Sequence, residues 1–456
     1  MGLNPPAPRN PAVSAHARRA SQPRARYRSS PSVAWVRSDW VIIALPTVLA
    51  TRNLYSGPPS LAVTAAFACV VGLLVVSAFA RSNQGTFVNQ FGPLILLIAA
   101  STLVIVRSSG LYNLLVYILI SALAIHLAKT VDARRIIGSL IDGIGLYSLV
   151  NVLAYAAGLR SVTESEGLRL SLNSGGVNRI IFPLEHSLNM PPVLAAMYLA
   201  AVVFLIREPG LRKRIFRIAC FIAAVAIIVG SGTRVPAIAA VTLPIMVVFL
   251  PTASRGIAPA LAVLASFSAV ILPSIISSVQ FVLNPVVSLL TDRRDTQQSL
   301  AALNGRDYVW GNSLEYFRDS VNDPFHILFG YGMQGHYKSG ASLTYYNLLD
   351  HVFTRDPEKI ISMHNSFLQQ LFDGGLVGWA LLVASLFWVG MRYSRRLHHW
   401  GPYSVAATMA LSVLLLCSTT EILLHPSVMT FWLMLILAGA ACQQAPNEHQ
   451  VESGET

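Results

Sequence analysis

The chain is too apolar to be an ordinary soluble protein. Of its 456 residues, 54% are hydrophobic and only 12% are charged, so a soluble fold would lack the polar surface needed to cover its core. The formal net charge of +12 does not indicate nucleic-acid binding, because seven arginines lie between residues 9 and 37 in a segment rich in Pro, Ser and Ala. Residues 1–38 therefore predict a disordered basic cytoplasmic tail and not a cleaved signal peptide.

Apolar runs recur along the rest of the chain, and most approach the roughly 20 residues that cross a bilayer. They predict an all-α, polytopic membrane helix bundle of about twelve transmembrane helices. Residues 39–279 hold the first group of spans, residues 374–442 hold the last, and residues 443–456 form a C-terminal tail. The predicted spans are residues 39–51, 60–80, 91–106, 110–128, 136–157, 188–206, 216–231, 235–250, 257–279, 374–391, 403–419 and 426–442.

Positive charge in the short loops predicts the orientation. Lysine and arginine cluster in residues 129–135, 207–217 and 392–396, all on the side of the N-terminus, and such clusters mark the cytoplasmic side. Both termini are therefore expected in the cytoplasm, in an inner (cytoplasmic) membrane. Two long outer segments follow, residues 158–187 and 280–373, and the second is long enough to form an extracytoplasmic cap.

The cap is predicted to be partly helical. Apolar side chains recur there at helical spacing: Trp310, Leu314, Phe317 and Val321. This pattern predicts an amphipathic helix over residues 305–321 that lies on the membrane face. Pro324 and the glycines of residues 330–332 should end it with a turn. A second helix should begin near Ser362 and break at Gly374 and Gly375.

His364 and Arg234 are the two residues singled out for chemistry. His364 can act as a general base at the start of the second cap helix, although helix capping or packing is the commoner role of such a histidine. Arg234 follows a Ser-Gly-Thr turn at the outer boundary, where an arginine is usually a snorkelling anchor. Guanidinium groups also bind diphosphates. Other cations fall on the same predicted side: Arg179, His186, Arg306, Arg318, Lys338 and Arg355.

Three other classes of protein fit the residues less well. His351 and His364 lack metal-ligand spacing, so no metal and no cofactor are expected. The first outer loop, residues 52–59, contains no acid for a metal-assisted transferase. A glycan flippase or solute transporter would need ionisable groups near the midplane, whereas Asp142 lies toward a span end and Glu421 toward the outer boundary. Glu421 and His425 are instead expected to close an outer cavity from below.

The order of these motifs resembles that of the O-antigen ligase and polysaccharide polymerase family. The matching residues are Ser231-Gly232-Thr233-Arg234, Gly305-Arg306, Trp310, Pro324, Gly330-Tyr331-Gly332, His364-Asn365-Ser366-Phe367-Leu368 and Gly374-Gly375-Leu376-Val377-Gly378. The resemblance implies a metal-independent glycosyltransferase of the cell envelope. Such an enzyme takes glycan from a polyprenyl-diphosphate carrier, undecaprenyl diphosphate in bacteria, and passes it to an acceptor hydroxyl.

The resemblance also assigns roles to residues. His364 matches the family histidine proposed to activate the acceptor, and Arg234 matches the arginine proposed to bind the diphosphate. Arg179 takes the place of a further family arginine, although residues 184–189 depart from the pattern that usually follows it. Arg306 joins these as a diphosphate ligand.

The remaining expectations concern supporting residues and partners. Asn365 and Glu421 are expected to support the site. The expected partners are the lipid-linked oligosaccharide, a glycan acceptor, the lipid bilayer and other polysaccharide assembly proteins, but no nucleic acid. A polymerase is preferred because the cap sequence shows no docking surface for a large lipid-linked acceptor, and a ligase remains the alternative.

Overall fold

A computed structural model describes residues 38–51, 87–107, 111–160, 180–184, 189–275, 305–345 and 362–443. The chain divides into two units, of which Met1–Arg37 lies outside the described residues. The predicted basic tail and the predicted span 60–80 thus have no structural account. Every regular element in the described ranges is helical, which confirms the all-α prediction for them.

The helices have the following bounds. They are α1 (Ser38–Thr51), α2 (Phe87–Ile105), α3 (Leu111–Thr130), α4 (Ala133–Ala156), α5 (Met190–Leu205), α6 (Leu211–Ser231), α7 (Arg234–Phe249), α8 (Ile257–Ser266), α9 (Ser268–Ile275), α10 (Arg306–Asp319), α11 (Pro324–Phe329), α12 (Gly335–Lys338), α13 (Ser366–Arg395), α14 (Leu397–Trp400), α15 (Pro402–Ser418) and α16 (Met429–Ala441).

Most predicted spans coincide with helices, but their number is not established. Within the described residues, three helices are long and apolar enough to cross a membrane alone: α4, α6 and α13. A fourth span results if α8 and α9, which meet at 91°, are counted as one. The other apolar helices have 10–17 residues in the stretches whose side chains are described, so the figure of about twelve stays a prediction.

The bundle is built around α5, α15 and α16. Nearly all residues of α5 and α15, and every residue of α16, are buried. Close backbone approaches help to pack the bundle, since a Cβ on Gly439 of α16 would lie 2.7 Å from the carbonyl oxygen of Ala124 in α3. α6 lies at the periphery, with apolar side chains such as Val229 exposed. This distribution is that of a bundle whose outer face meets an apolar solvent.

Arg217 differs from its sequence-based interpretation. It was counted with the loop charges of residues 207–217, but it lies inside α6 and is buried. Its Nε and Nη2 donate to the two carboxylate oxygens of Asp142 at 2.7 and 3.2 Å, and its Nη1 donates to Glu208 at 3.0 Å and to the Leu205 carbonyl at 2.5 Å. A buried charge is costly unless it is paired, and Arg217 is therefore paired with acidic side chains inside the bundle.

The cap, as far as residues 305–345 describe it, folds against the start of α13. The predicted amphipathic helix is present as α10, but its apolar face does not lie on the membrane. Trp310 and Val309 are buried in a small core with Met363, Leu368 and Phe372. Pro324 is the first residue of α11 and does not end a helix. The cap and the start of α13 thus form one small hydrophobic core, separate from the core of the helix bundle.

α13 consists of two helical segments that meet at a kink. It begins at Ser366, later than the predicted Ser362, and Gly375 has non-helical geometry with a φ of +66°. Glycine tolerates this positive φ, and the predicted break at the Gly-Gly pair is confirmed. Residues 366–373, here called the base of α13, face the cap. The loop of residues 419–428 joins α15 to α16 and packs beside this base.

Candidate active site

His364 lies two residues before the base of α13 and does not cap the helix. Asn365 does so: its Oδ1 accepts the backbone N–H groups of Phe367 and Leu368 at 3.0 Å each. The Asn365 Nδ2 donates to Ser268 Oγ at 2.8 Å and to the Thr419 carbonyl at 3.0 Å. Because Asn365 is buried and fully bonded, capping does not account for His364.

The backbone around His364 is held in an uncommon conformation. His364 has a φ of +49°, a region that non-glycine residues enter rarely and at a cost of about 1–3 kcal/mol. Its N–H donates to Ser362 Oγ at 3.1 Å, and Trp310 Nε1 donates to the Met363 carbonyl at 2.8 Å. These contacts overcome the strain and fix where the imidazole points.

The imidazole points at Glu421. His364 Nδ1 lies 3.2 Å from Glu421 Oε2, with 41% of the histidine side chain exposed against 14% of the glutamate side chain. Arg306 Nη2 lies 2.5 Å from the other carboxylate oxygen, and Asn189 also hydrogen-bonds the carboxylate. Glu421 thus joins α10 and the start of α5 to the segment before α13.

Glu421 is ionised in this setting. Burial raises the pKa of a carboxyl group, but the charges of His364 and Arg306 and the hydrogen bonds from His364 and Asn189 outweigh it. They hold the pKa of Glu421 below its usual value. An ionised carboxylate only accepts hydrogen bonds, so His364 Nδ1 carries the hydrogen. In the neutral ring the lone pair is then on Nε2, which is the arrangement of a carboxylate-oriented general base.

Arg234 lies at the same end of the bundle. Gly232, with a φ of +60°, ends α6, and Arg234 is the first residue of α7. Ser231 Oγ and Thr233 Oγ1 bond each other across this turn at 3.1 Å. α7 packs against α5, which begins just after Asn189, and against α15, which leads to Glu421. The end of α6 also contacts the segment that precedes α5 in the chain, because the Ile180 N–H donates to the Gly230 carbonyl at 2.9 Å.

The structure gathers some of the predicted residues and not others. His364, Asn365, Arg306 and Glu421 come together at one place, as described above. Arg179 lies outside the described residues, as do His186 and Arg355. Arg318 pairs with its neighbour Asp319 at the surface, and Lys338 donates to the Arg107 carbonyl. These two cap cations are therefore engaged elsewhere.

Two functional contacts escaped the sequence analysis. Asn189 was noted only as a departure from the family pattern, yet it bonds Glu421. An amide directly before a helix with prolines in its first turn would have been its signal, because Asn and Pro are both common at helix N-termini. Trp310 was recognised as apolar, but its N–H was not matched with the Met363 carbonyl. Within the described residues, no cluster of three or more His, Cys, Asp or Glu side chains could hold a metal ion.

Comparison with known proteins bears on the region that builds this site. No curated protein matches the chain. The family model described as O-antigen ligase matches residues 218–383, a range that includes Arg234, Arg306, His364 and Asn365 but neither Asn189 nor Glu421. This match confirms the resemblance of the chain to the O-antigen ligase and polysaccharide polymerase family.

Proposed function

We propose that this protein is a membrane glycosyltransferase that moves glycan from a polyprenyl-diphosphate carrier to an acceptor hydroxyl at the extracytoplasmic face. The observation that carries the proposal is the His364–Glu421 contact at 3.2 Å, which leaves Nε2 of a partly exposed imidazole as the proton acceptor. The family match over residues 218–383 supports the same class of reaction.

In the proposed step the acceptor oxygen attacks the anomeric carbon of the donor sugar. The bond from that carbon to the diphosphate oxygen breaks, and polyprenyl diphosphate leaves with the electron pair. The acceptor proton passes to His364 Nε2, and Glu421 stabilises the resulting imidazolium. This transfer of the proton contributes roughly 100- to 10,000-fold to the rate.

Arginines stabilise the departing diphosphate in this proposal. Arg234 supplies positive charge where negative charge develops, and Arg179, which lies outside the described residues, is proposed for the same role. Arg306 is shared between two roles, because its guanidinium already lies 2.5 Å from Glu421. It holds that carboxylate and is proposed to bind the leaving group with its other donors. No metal and no cofactor take part in this step.

The protein is proposed to lie in the inner membrane, with both termini in the cytoplasm and about twelve spans. Residues 280–373 form the extracytoplasmic cap between the spans of residues 39–279 and 374–442. Polymerase and ligase reactions use the same donor and the same base. We favour the polymerase, in which the acceptor is another lipid-linked glycan of the cell envelope, and keep the ligase as the alternative.

The buried charges argue for transfer over transport. Asp142, the acid that a proton-coupled transporter would use, is bound by Arg217 through both carboxylate oxygens. A carboxylate held in this way contributes to the packing of α4 against α6. The cluster around Glu421, in contrast, has an exposed imidazole suited to meet a substrate.

The test uses purified protein, a radiolabelled polyprenyl-diphosphate-linked oligosaccharide and a chelator. We expect release of polyprenyl diphosphate and elongation of the glycan. His364→Ala should abolish both while the amount and melting temperature of the protein stay unchanged. His326→Ala is the matched control, because it removes a cap imidazole that pairs with Asp323 and not with Glu421. Normal-length glycan from His364→Ala protein would contradict the proposal, and so would movement of the intact donor without cleavage.

A further inference from the structure

Asp373, at the end of the base of α13, is a fully buried carboxylate that the proposed reaction does not use. Its Oδ1 accepts the Gly335 N–H at 2.6 Å and the Gln369 side-chain amide at 2.8 Å. Its Oδ2 lies 3.2 Å from His425 Nε2, a close contact that does not meet hydrogen-bond geometry. A buried charge is costly unless it is compensated, and here the compensation comes from the cap, from α13 and from the α15–α16 loop.

On one side of Asp373 the cap lies directly on the α13 backbone. The N–H groups of Tyr331 and Gly332 donate to the carbonyls of Phe372 and Asp373, both at 2.8 Å. A Cβ on Gly335 would lie 2.3 Å from the Phe372 carbonyl oxygen, so only glycine permits this approach. The Gly-Tyr-Gly motif and the turn after it thus form a docking point for Asp373.

On the other side His425 fastens the α15–α16 loop. Its Nδ1 lies 2.7 Å from Ser427 Oγ and accepts the Ser427 N–H at 3.3 Å, so the ring hydrogen is on Nε2, the nitrogen that contacts Asp373. The same loop is attached to Ser366, whose Oγ donates to the Glu421 carbonyl at 2.8 Å and accepts the Leu423 N–H at 2.8 Å. The loop that carries Glu421 is therefore fastened to the base of α13 at two points, one near His364 and one at Asp373.

Asp373 does not reach the reacting atoms. It lies seven residues along α13 from Ser366, and a helix rises about 1.5 Å per residue, so the separation is roughly 10 Å. Any effect on the reaction must therefore pass through the position of the loop and of Glu421.

We propose that Asp373 and His425 form a positioning pair that joins the cap and the α15–α16 loop to the base of α13 and thereby holds Glu421 against His364. The proposal rests on the proposed function for its kinetic consequence, because it assigns to the pair the geometry of the general base. Neither residue touches substrate, and both act through Glu421.

The first test is a double-mutant cycle on release of polyprenyl diphosphate from the radiolabelled donor. Asp373→Asn should lower kcat about 10-fold and leave the donor KM unchanged, because an amide would set an N–H group against another donor. In the Glu421→Gln background the same substitution should add little. Residues that act through one another are non-additive, whereas distant independent sites add.

Substitutions at His425 provide a second variant in case Asp373→Asn protein fails to fold. Gln at position 425 can still donate an N–H toward Asp373, so His425→Gln should keep most of the activity that His425→Ala loses. Asp323→Asn is the control, since it disturbs an exposed Asp–His pair of the cap at 2.6 Å and should leave kcat at the wild-type value.

Hydrogen exchange tests whether the positioning pair joins the cap and the α15–α16 loop to α13, and it requires no enzyme activity. In His425→Ala and Asp373→Asn protein we expect faster exchange both at residues 331–335 and at residues 423–428, because one carboxylate fastens both segments. Unchanged exchange at both segments would overturn the positioning pair, and so would full additivity with Glu421→Gln. If wild-type protein releases no polyprenyl diphosphate, the proposed function fails, and the exchange result still decides whether the pair joins the segments.

Discussion

Two clusters of an arginine with buried carboxylates lie at opposite ends of α5. At the end of the helix, Arg217 bonds Asp142, Glu208 and the Leu205 carbonyl, and only 2% of its side chain is exposed. At the start of the helix, Asn189 reaches Glu421, which also bonds Arg306 and His364. The first cluster is closed. The second leaves 41% of the His364 side chain and 24% of the Arg306 side chain in contact with the surroundings.

Under the proposed function, similar residues stabilise the fold in the first cluster and take part in a reaction in the second. All the donors of a closed cluster face protein, so it cannot meet a ligand and contributes only to packing. An open cluster retains the same fixed carboxylate but presents one titratable group outward, as a general base requires. The exposure of one side chain, His364, therefore distinguishes the proposed catalytic cluster from the structural one. Three changes test this separation.

Arg217→Met should have the largest effect, and the effect should be on stability. It leaves Asp142 buried without a counter-charge and Glu208 with only Lys213, whose Nζ lies 4.0 Å away. Loss of the partner of a buried charge costs about 3–5 kcal/mol. Thermal unfolding of the purified protein in detergent measures the loss, and activity per folded molecule should stay near the wild-type value. Replacing Asp142 by Leu and Glu208 by Gln in the same chain should restore much of the stability, because an apolar cluster needs no compensation. An unchanged melting temperature for Arg217→Met would show that this cluster is not the closed structural element described above.

Glu421→Gln should have the next largest effect, on catalysis. The glutamine amide can donate to His364 Nδ1, which would place the ring hydrogen on Nε2 and remove the lone pair that accepts the acceptor proton. We expect kcat to fall about 100-fold, within the range for general bases, with the donor KM unchanged. A variant with wild-type kcat would show that the open cluster has no part in proton transfer.

The pH dependence of stability offers a second measurement on the same glutamate. Its pKa in the folded protein is lower than in the unfolded chain, where a glutamate has a pKa of about 4.3. The carboxylate therefore stabilises the fold above about pH 4.3, and this contribution is lost as the pH falls through the lower folded pKa. Melting temperatures between pH 7 and pH 3 should fall more for wild type than for Glu421→Gln. Parallel curves for the two proteins would contradict this linkage.

The sequence predicted the helices better than it predicted the clusters. Apolar runs located α2 to α7, α15 and α16 to within a few residues, because lipid-facing and core residues alike must be apolar. Asp142 and Arg217 were both visible, but they lie 75 residues apart, and nothing in helical periodicity joins them. Arg217, at the edge of the predicted span 216–231, was therefore counted with the loop charges.

The site shows the same limit. The motifs singled out His364 and Arg234 by local pattern, and Glu421 was expected below the outer cavity. Its contacts with His364 and Arg306 join positions 57 and 115 residues apart. Such contacts depend on how α5, α10 and the α15–α16 loop pack, and single-sequence patterns describe only the faces of each helix. The orienting hydrogen bond from Trp310 was hidden for the same reason.

Trp310→Phe should have the smallest effect and tests how finely His364 must be placed. Phenylalanine keeps an aromatic ring in the core shared by α10 and α13 but removes the N–H that donates to the Met363 carbonyl at 2.8 Å. A hydrogen bond of this kind contributes about 0.5–1.5 kcal/mol, so the φ of +49° at His364 becomes harder to maintain. We expect a loss of about 3- to 10-fold in kcat, with a lower melting temperature because the smaller ring also leaves a cavity at a fully buried position. Val309→Ala, in the same core, is the control: it should lower the melting temperature more than kcat, because it removes packing and leaves the hydrogen bond in place. A larger kcat loss for Val309→Ala than for Trp310→Phe would mean that core packing, and not this bond, positions the imidazole.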